Sequence, residues 1–302
     1  MPRKLRMRLL VSIALWGAIA YYFLAAFRQV DWNVVTTLTF SPVPAIAAVA
    51  IGVGSRFLLP LIWTMALSAL EGRAMSVRTL VWPYAVSWVG RYIPGKVGML
   101  GARMLAAERY GYSKVSVIIS AGMEVVLQLV FVTALSFLGL GLGSRLNFNP
   151  IPVLLVVGIL AILISPPVLR RMVTLYLRWQ GRANESVQSL SWSTVLGCAT
   201  VFLLMYGLQS TYSILLAESM GMAVYGQWLM FLGAIFLSSI AGMVAFFTPG
   251  GIGVRELVFV QVLGGWHSKE QLLAFAIVWR LAETLMDALF FAIAWFLKQD
   301  VS

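Results

Sequence analysis

The chain has 302 residues, 61% of them hydrophobic and 11% charged, with a net charge of +11 and a mean hydropathy of +0.90. Soluble domains carry roughly 25% charged residues, so a soluble enzyme or binding module is excluded and a polytopic integral membrane protein is expected. The cations fall in short loops between apolar runs and form no basic patch that could follow a phosphate backbone, so no nucleic-acid partner is expected.

The first element imitates a signal peptide: "PRKLRMR" is a basic leader and Ala18-Ile-Ala20 a cleavage-like site. The apolar run continues through "YYFLAAF" to Phe27, however, so residues 9–27 read as an uncleaved first helix long enough to span. Further apolar segments follow at 43–70, 79–107, 115–141, 151–169, 193–217, 228–264 and 271–297. The segments 79–107 and 228–264 are interrupted by Pro94-Gly95 and Pro249-Gly250. Treated as hairpins, they leave six full spans plus two hairpins. The polar stretch from Arg170 to Trp192 is too short to build a core of its own. The reading is therefore one membrane domain: an N-terminal helix and loop (1–42), a first repeat (43–141), a connecting helix and cytoplasmic loop (142–192) and a second repeat (193–302). Cys198, the single cysteine, lies within a span and reads as a small buried apolar residue, and His267 reads as a solvated loop residue.

Orientation follows from the basic residues. With the N-terminus inside and each broken segment returning to its own side, Arg3, Lys4, Arg6, Arg8, Arg73, Arg78, Arg109, Lys114, Arg170, Arg171, Arg178, Arg182 and Lys298 fall inside. Only Arg28, Arg145 and Lys269 fall outside, so both termini are expected on the cytoplasmic side. The other six cations, Arg56, Arg91, Lys96, Arg103, Arg255 and Arg280, lie within membrane segments.

Each repeat reads span, broken hairpin, span, and Pro94 and Pro249 are 155 positions apart (249 − 94). The connecting helix over 151–169 crosses once, so the second unit enters from the opposite face. The expected fold is thus all-α, with two inverted repeats whose re-entrant hairpins meet near the midplane, an arrangement associated with transporter binding sites. The break sequences are "RYIPGKVG", residues 91–98, and "FTPGGIGVRE", residues 247–256. Pro removes a backbone donor and Gly tolerates positive φ, so each ends one helix and starts another. Free N–H groups at the new helix start, with nearby cations, suit an anion. The candidate substrate-binding residues are Arg91, Pro94, Gly95, Lys96 and Arg103 at the first break, and Pro249, Gly250 and Arg255 at the second. The plainer alternative is a pair of tight turns with interfacial charges.

The last span adds Arg280, Glu283 and Asp287 at i, i+3 and i+7 of one helix face. Such groups cost about 2.5–3.5 kcal/mol each at mid-span on insertion scales, so they must face protein or water. Glu124 lies 30 positions after Pro94, as Arg280 lies 31 after Pro249. With Glu256 these residues form a candidate coupling or ion-pair network, in which Glu283 or Asp287 is expected to pair with Arg280 or Arg255. The alternative is a structural lock between helices.

The stretches "GRYIPGKVGMLGARMLAAERYG", the helix bearing Glu124, "FFTPGGIGVRELVF" and "VWRLAETL" resemble the flippase-like transmembrane family typified by the membrane half of bacterial lysylphosphatidylglycerol synthase. The resemblance runs from about residue 40 to 297. It implies a bacterial inner-membrane protein that moves a lipid, or a lipid-linked head group, between leaflets. The sequence ends at Ser302, so the synthase's soluble aminoacyl-transfer domain is not expected here. No hydrolase, Walker or Asp-rich metal motif occurs, and no catalytic residue, metal or cofactor is expected. The leading expectation is transbilayer movement of an anionic phospholipid or polyprenyl-phosphate-linked lipid. The alternatives are a proton-coupled small-solute transporter and a membrane subunit of a lipid glycosyl- or aminoacyl-transfer system. The expected partners are a lipid substrate in the bilayer and a lipid-modifying enzyme; the oligomeric state is left open.

Overall fold

The computed structural model describes residues 40–92, 97–143, 149–179, 188, 190–245 and 253–298. The expected first helix (9–27), the Pro94-Gly95 and Pro249-Gly250 breaks and Lys96 lie outside the described residues. Eleven α-helices are described: α1 Pro42–Arg56, α2 Leu58–Glu71, α3 Val77–Val89, α4 Val97–Tyr110, α5 Lys114–Gly143, α6 Ile151–Leu163, α7 Pro166–Trp179, α8 Trp192–Ser219, α9 Trp228–Val244, α10 Val254–Leu263 and α11 Lys269–Phe296. Among the described residues no β-strand occurs, and the chain is an all-helical integral membrane protein. The stretch Pro42–Glu71 and the helices Lys114–Gly143 and Trp192–Ser219 are long and apolar enough to cross a bilayer. α11 has 28 residues, about 42 Å, but carries Arg280, Glu283 and Asp287 in its interior.

Proline and glycine decide where these helices break. Pro60 cannot donate to the carbonyl of Arg56, and the helix over 42–71 is interrupted at Phe57, one residue beyond Arg56. α2 ends at Gly72, whose φ of +66° closes the helix in the left-handed region that a side chain resists. The connecting segment departs from the single helix expected over 151–169. α6 stops at Leu163, and α7 starts at Pro166 with its axis turned by 60°. The "SPPV" sequence supplies the reason: two successive prolines lack the N–H groups that would continue the ladder, yet suit the first turn of a new helix.

The helices pack in a reciprocal pattern. α3 lies against α4 and α9 against α10; α4 lies against α5 and α10 against α11. Between the two halves, α5 packs on α9, α3 on α11, and α8 on α1 and α2. At one end of the bundle, Arg73 donates to the carbonyl of Gly111 at 3.0 Å, and Ser113 N–H donates to Glu71 at 3.0 Å. At the other end, Ser41 N–H donates to the carbonyl of Ser219 at 2.7 Å.

The α5–α9 seam is built from glycine. A Cβ on Gly233 would lie 2.7 Å from the backbone N of Leu140, and one on Gly139 would lie 2.8 Å from the Cα of Gly233. Ser136 Oγ donates across the same seam to the Gly233 carbonyl at 3.3 Å. Close backbone approach of this kind supplies packing where lipid tails are as apolar as leucine. Gly233→Val is accordingly expected to lower the detergent melting temperature and the yield of folded protein, since overpacking costs about 1–3 kcal/mol or more. A melt unchanged from wild type would show that the seam is slack.

Candidate functional site

Two matching arrangements occupy the halves of the molecule. In the first, Arg103 on α4 donates to Glu124 on α5 through both terminal nitrogens, at 2.8 and 3.2 Å, and through Nε to Ser87 on α3 at 3.2 Å. Tyr84 O–H donates to the same carboxylate at 2.6 Å. The guanidinium lies over the rings of Trp63 and Tyr84, 5.0 and 4.6 Å from their centroids. In the second, Arg255 on α10 donates to Glu283 on α11 at 3.0 Å and to Ser239 on α9 at 2.9 Å, and lies 4.8 Å above Trp279. Tyr212 O–H donates to Glu283 at 3.3 Å. Each half thus holds an arginine of the helix following the break, between a serine of the helix preceding it and a glutamate of the next long helix.

The two arrangements differ in what surrounds them. Arg103 is 2% exposed, and among the described residues its ion-pair partner is Glu124. Arg255 belongs to a larger cluster. Arg56 Nε pairs with Asp287 at 3.0 Å and its Nη2 lies 3.9 Å from Glu283. Arg91, beside the first break, pairs with the other Asp287 oxygen at 2.9 Å. Trp88 N–H donates to Asp287 at 3.1 Å. Arg280 Nε lies 3.7 Å from Glu256, whose second oxygen accepts from the Gly253 N–H at 2.7 Å. Among the described residues, four arginines, Arg56, Arg91, Arg255 and Arg280, therefore face three carboxylates, Glu256, Glu283 and Asp287, one cation more than anions. Two buried donors of the cluster, Arg255 Nε and the Trp279 indole N–H, have no hydrogen-bond acceptor among the described residues. An excess positive charge beside buried donors without acceptors is an environment that an anion would complete.

Six of the thirteen expected site residues converge here. Arg91, Arg255, Glu256, Arg280, Glu283 and Asp287 lie in one cluster, while Arg103 and Glu124 form the separate pair. Lys96, Pro94, Gly95, Pro249 and Gly250 lie outside the described residues. Glu283 pairs with Arg255, one of the two alternatives expected for it. Arg280 turns to Glu256 of α10, and Asp287 is held by Arg56 and Arg91. Arg56 is the main functional candidate that the sequence reading left outside the network, although a lone arginine within residues 43–70 was its signal. Trp88, Tyr84 and Tyr212 had no distinguishing signal. Among the described residues no three of His, Cys, Asp and Glu converge as metal ligands would.

Gly242 on α9 makes room for the site. A Cβ there would collide with the aliphatic stem of Arg255. Gly242→Ala should displace the guanidinium from Glu283 and Ser239 without removing its charge, so the detergent melting temperature is expected to fall while the protein still folds. A melt unchanged from wild type would show that the placement of Arg255 is not critical.

The family described as the lysylphosphatidylglycerol synthase TM region matches residues 7–290. The chain belongs to this family. The matched range contains every residue of both arrangements, so the arginine–glutamate pairs sit within the family's membrane region. No curated protein matches the chain.

Proposed function

We propose that this member of the lysylphosphatidylglycerol synthase TM family moves an anionic phospholipid, or a polyprenyl-phosphate-linked lipid, between bilayer leaflets as a flippase or scramblase. The observation that carries the reading is that, among the described residues, four arginines meet three carboxylates beside two buried donors, Arg255 Nε and the Trp279 indole N–H, that find no acceptor there. A phosphodiester bears one negative charge and several acceptor oxygens, which would balance both deficits. Arg91 and Arg255, with side chains 22% and 12% exposed, are the proposed contacts, with Lys96 and Pro94-Gly95 at the first break and Pro249-Gly250 at the second. Arg103, fully engaged by Glu124, is proposed to approach the lipid only if that pair opens.

The reading includes inverted repeats with re-entrant hairpins. Two features support it. The helices flanking the breaks have 13, 14, 17 and 10 residues, about 15–26 Å, each shorter than a roughly 30 Å hydrocarbon core. The contacts of α3, α4 and α5 also recur in α9, α10 and α11. The basic loops favour a bacterial inner membrane with both termini cytoplasmic. A lipid-modifying enzyme is the proposed functional neighbour, and no catalytic step is assigned to the chain itself.

The test is leaflet-to-leaflet transfer in proteoliposomes of fluorescent phosphatidylglycerol against fluorescent phosphatidylcholine. Phosphatidylglycerol should cross faster with protein than without, by a larger factor than phosphatidylcholine. No acceleration of either lipid, alongside proton-driven uptake of a small solute, would overturn the lipid reading in favour of a solute transporter.

A further inference from the structure

The helix α7, Pro166–Trp179, plays no part in the central cluster, yet it is built for a partner. Its faces carry three different chemistries. Pro166 and Leu177 are buried against the protein. Arg170, Arg171, Thr174 and Arg178 share a second, exposed face, at the 3.6-residue spacing that sets them side by side. Met172, Leu175 and Trp179 form a third face and are 53%, 64% and 83% exposed. The arginine face borders a groove of about 650 Å³ that Leu190 and Trp192, at the start of α8, close from the other side. No carboxylate lies among the described residues lining that groove.

This order of chemistries selects the occupant. A helix with an arginine face beside an exposed apolar face containing Trp suits the boundary between headgroups and acyl chains. The position agrees: α7 follows the wholly apolar α6 and is turned 60° from it. Three arginines and an indole, with no carboxylate among the described residues of the lining, match a phosphodiester headgroup, while Met172, Leu175 and Trp179 match the adjoining acyl chains. We propose that α7 is a lipid-docking helix lying in the plane of the membrane interface, and that the groove between α7 and the start of α8 holds the headgroup of an anionic phospholipid. This site is separate from the central cluster and does not depend on it.

The experiment uses the full chain in detergent, titrated with phosphatidylglycerol or phosphatidylcholine and read by native mass spectrometry as the number of lipids retained. The variant is R170Q/R171Q/R178Q, whose changes lie on an exposed face. Wild type should retain phosphatidylglycerol over phosphatidylcholine, and the triple variant should lose at least one phosphatidylglycerol per chain with its melting temperature in lipid-free detergent unchanged. Equal retention by wild type and variant, or equal retention of both lipids, would overturn the proposal. Displacement of the retained lipid by millimolar inorganic phosphate would also overturn it, since the groove would then be a free-ion site. A second measurement covers poor folding of the triple variant. A nitroxide on Leu175→Cys, in a Cys198→Ser background in phosphatidylglycerol bilayers, should report a depth near the phosphate level. A fully aqueous nitroxide would rule out the interfacial position.

Discussion

Glu124→Gln is expected to destabilise the protein by about 3–5 kcal/mol, the range for removing one partner of a buried ion pair. Glutamine keeps the shape and can still accept from Tyr84, but it leaves the Arg103 guanidinium as an uncompensated charge among Trp63, Tyr84 and Ser87. The double variant Arg103→Met/Glu124→Gln removes that charge as well and should recover most of the lost stability, because an apolar replacement of a buried pair is often neutral. Detergent melting followed by tryptophan fluorescence provides the comparison. A double variant no more stable than Glu124→Gln alone would mean that Arg103 and Glu124 are not energetically coupled. The same pair of variants also tests whether Arg103 contributes to lipid transfer: a stable double variant with unreduced transfer would confine it to the fold.

The second large effect concerns Arg255. Arg255→Lys retains a positive charge beside Glu283 but loses the planar fork that now spans Glu283 and Ser239 and leaves Nε available to a ligand. Transfer of phosphatidylglycerol is expected to fall tenfold or more. A charge-assisted hydrogen bond is worth about 1.5–3 kcal/mol, and about 1.4 kcal/mol already corresponds to tenfold. The detergent melting temperature should stay near that of wild type, because the charge balance is preserved. Lys96→Ala should reduce transfer at least as far, with expression and stability near wild type; Arg255→Ala should do so too, but with a lower melting temperature, since Glu283 loses its 3.0 Å partner. Undiminished transfer in well-folded variants would place the lipid elsewhere; collapse of folding in all of them would support a purely structural lock.

How much of this was legible in the sequence depends on the kind of information needed. The apolar runs, the two Pro-Gly breaks and the costly charges at Arg103, Glu124, Arg255, Glu283 and Asp287 could all be read, because each is a local departure from an apolar background. Partners could not be assigned in the same way. Arg56 and Asp287 are 231 positions apart, and which face of α1 meets α11 depends on packing that no single segment encodes. Ser87 and Ser239 were invisible for a different reason: a serine in a membrane helix is common and becomes informative only when an arginine turns toward it. The bend between α6 and α7 was written in Pro166-Pro167, but the apolar composition of residues 151–169 outweighed that signal in the reading of one crossing helix.

Two of the seams joining the halves, α5–α9 and α3–α11, occupy corresponding positions but respond differently to water. Glycine contacts hold the first, and separating them would forfeit close packing without giving any charge a new partner. At the second, Arg91 and Trp88 both reach Asp287, and Trp82 packs against Phe291 and Trp295. Water or an incoming anion can replace an ionic partner oxygen for oxygen, whereas nothing substitutes for a backbone lying in van der Waals contact with another backbone. The cost of parting is therefore unequal on the two sides of the molecule: hydration lowers it along α3–α11 and leaves it almost unchanged along α5–α9.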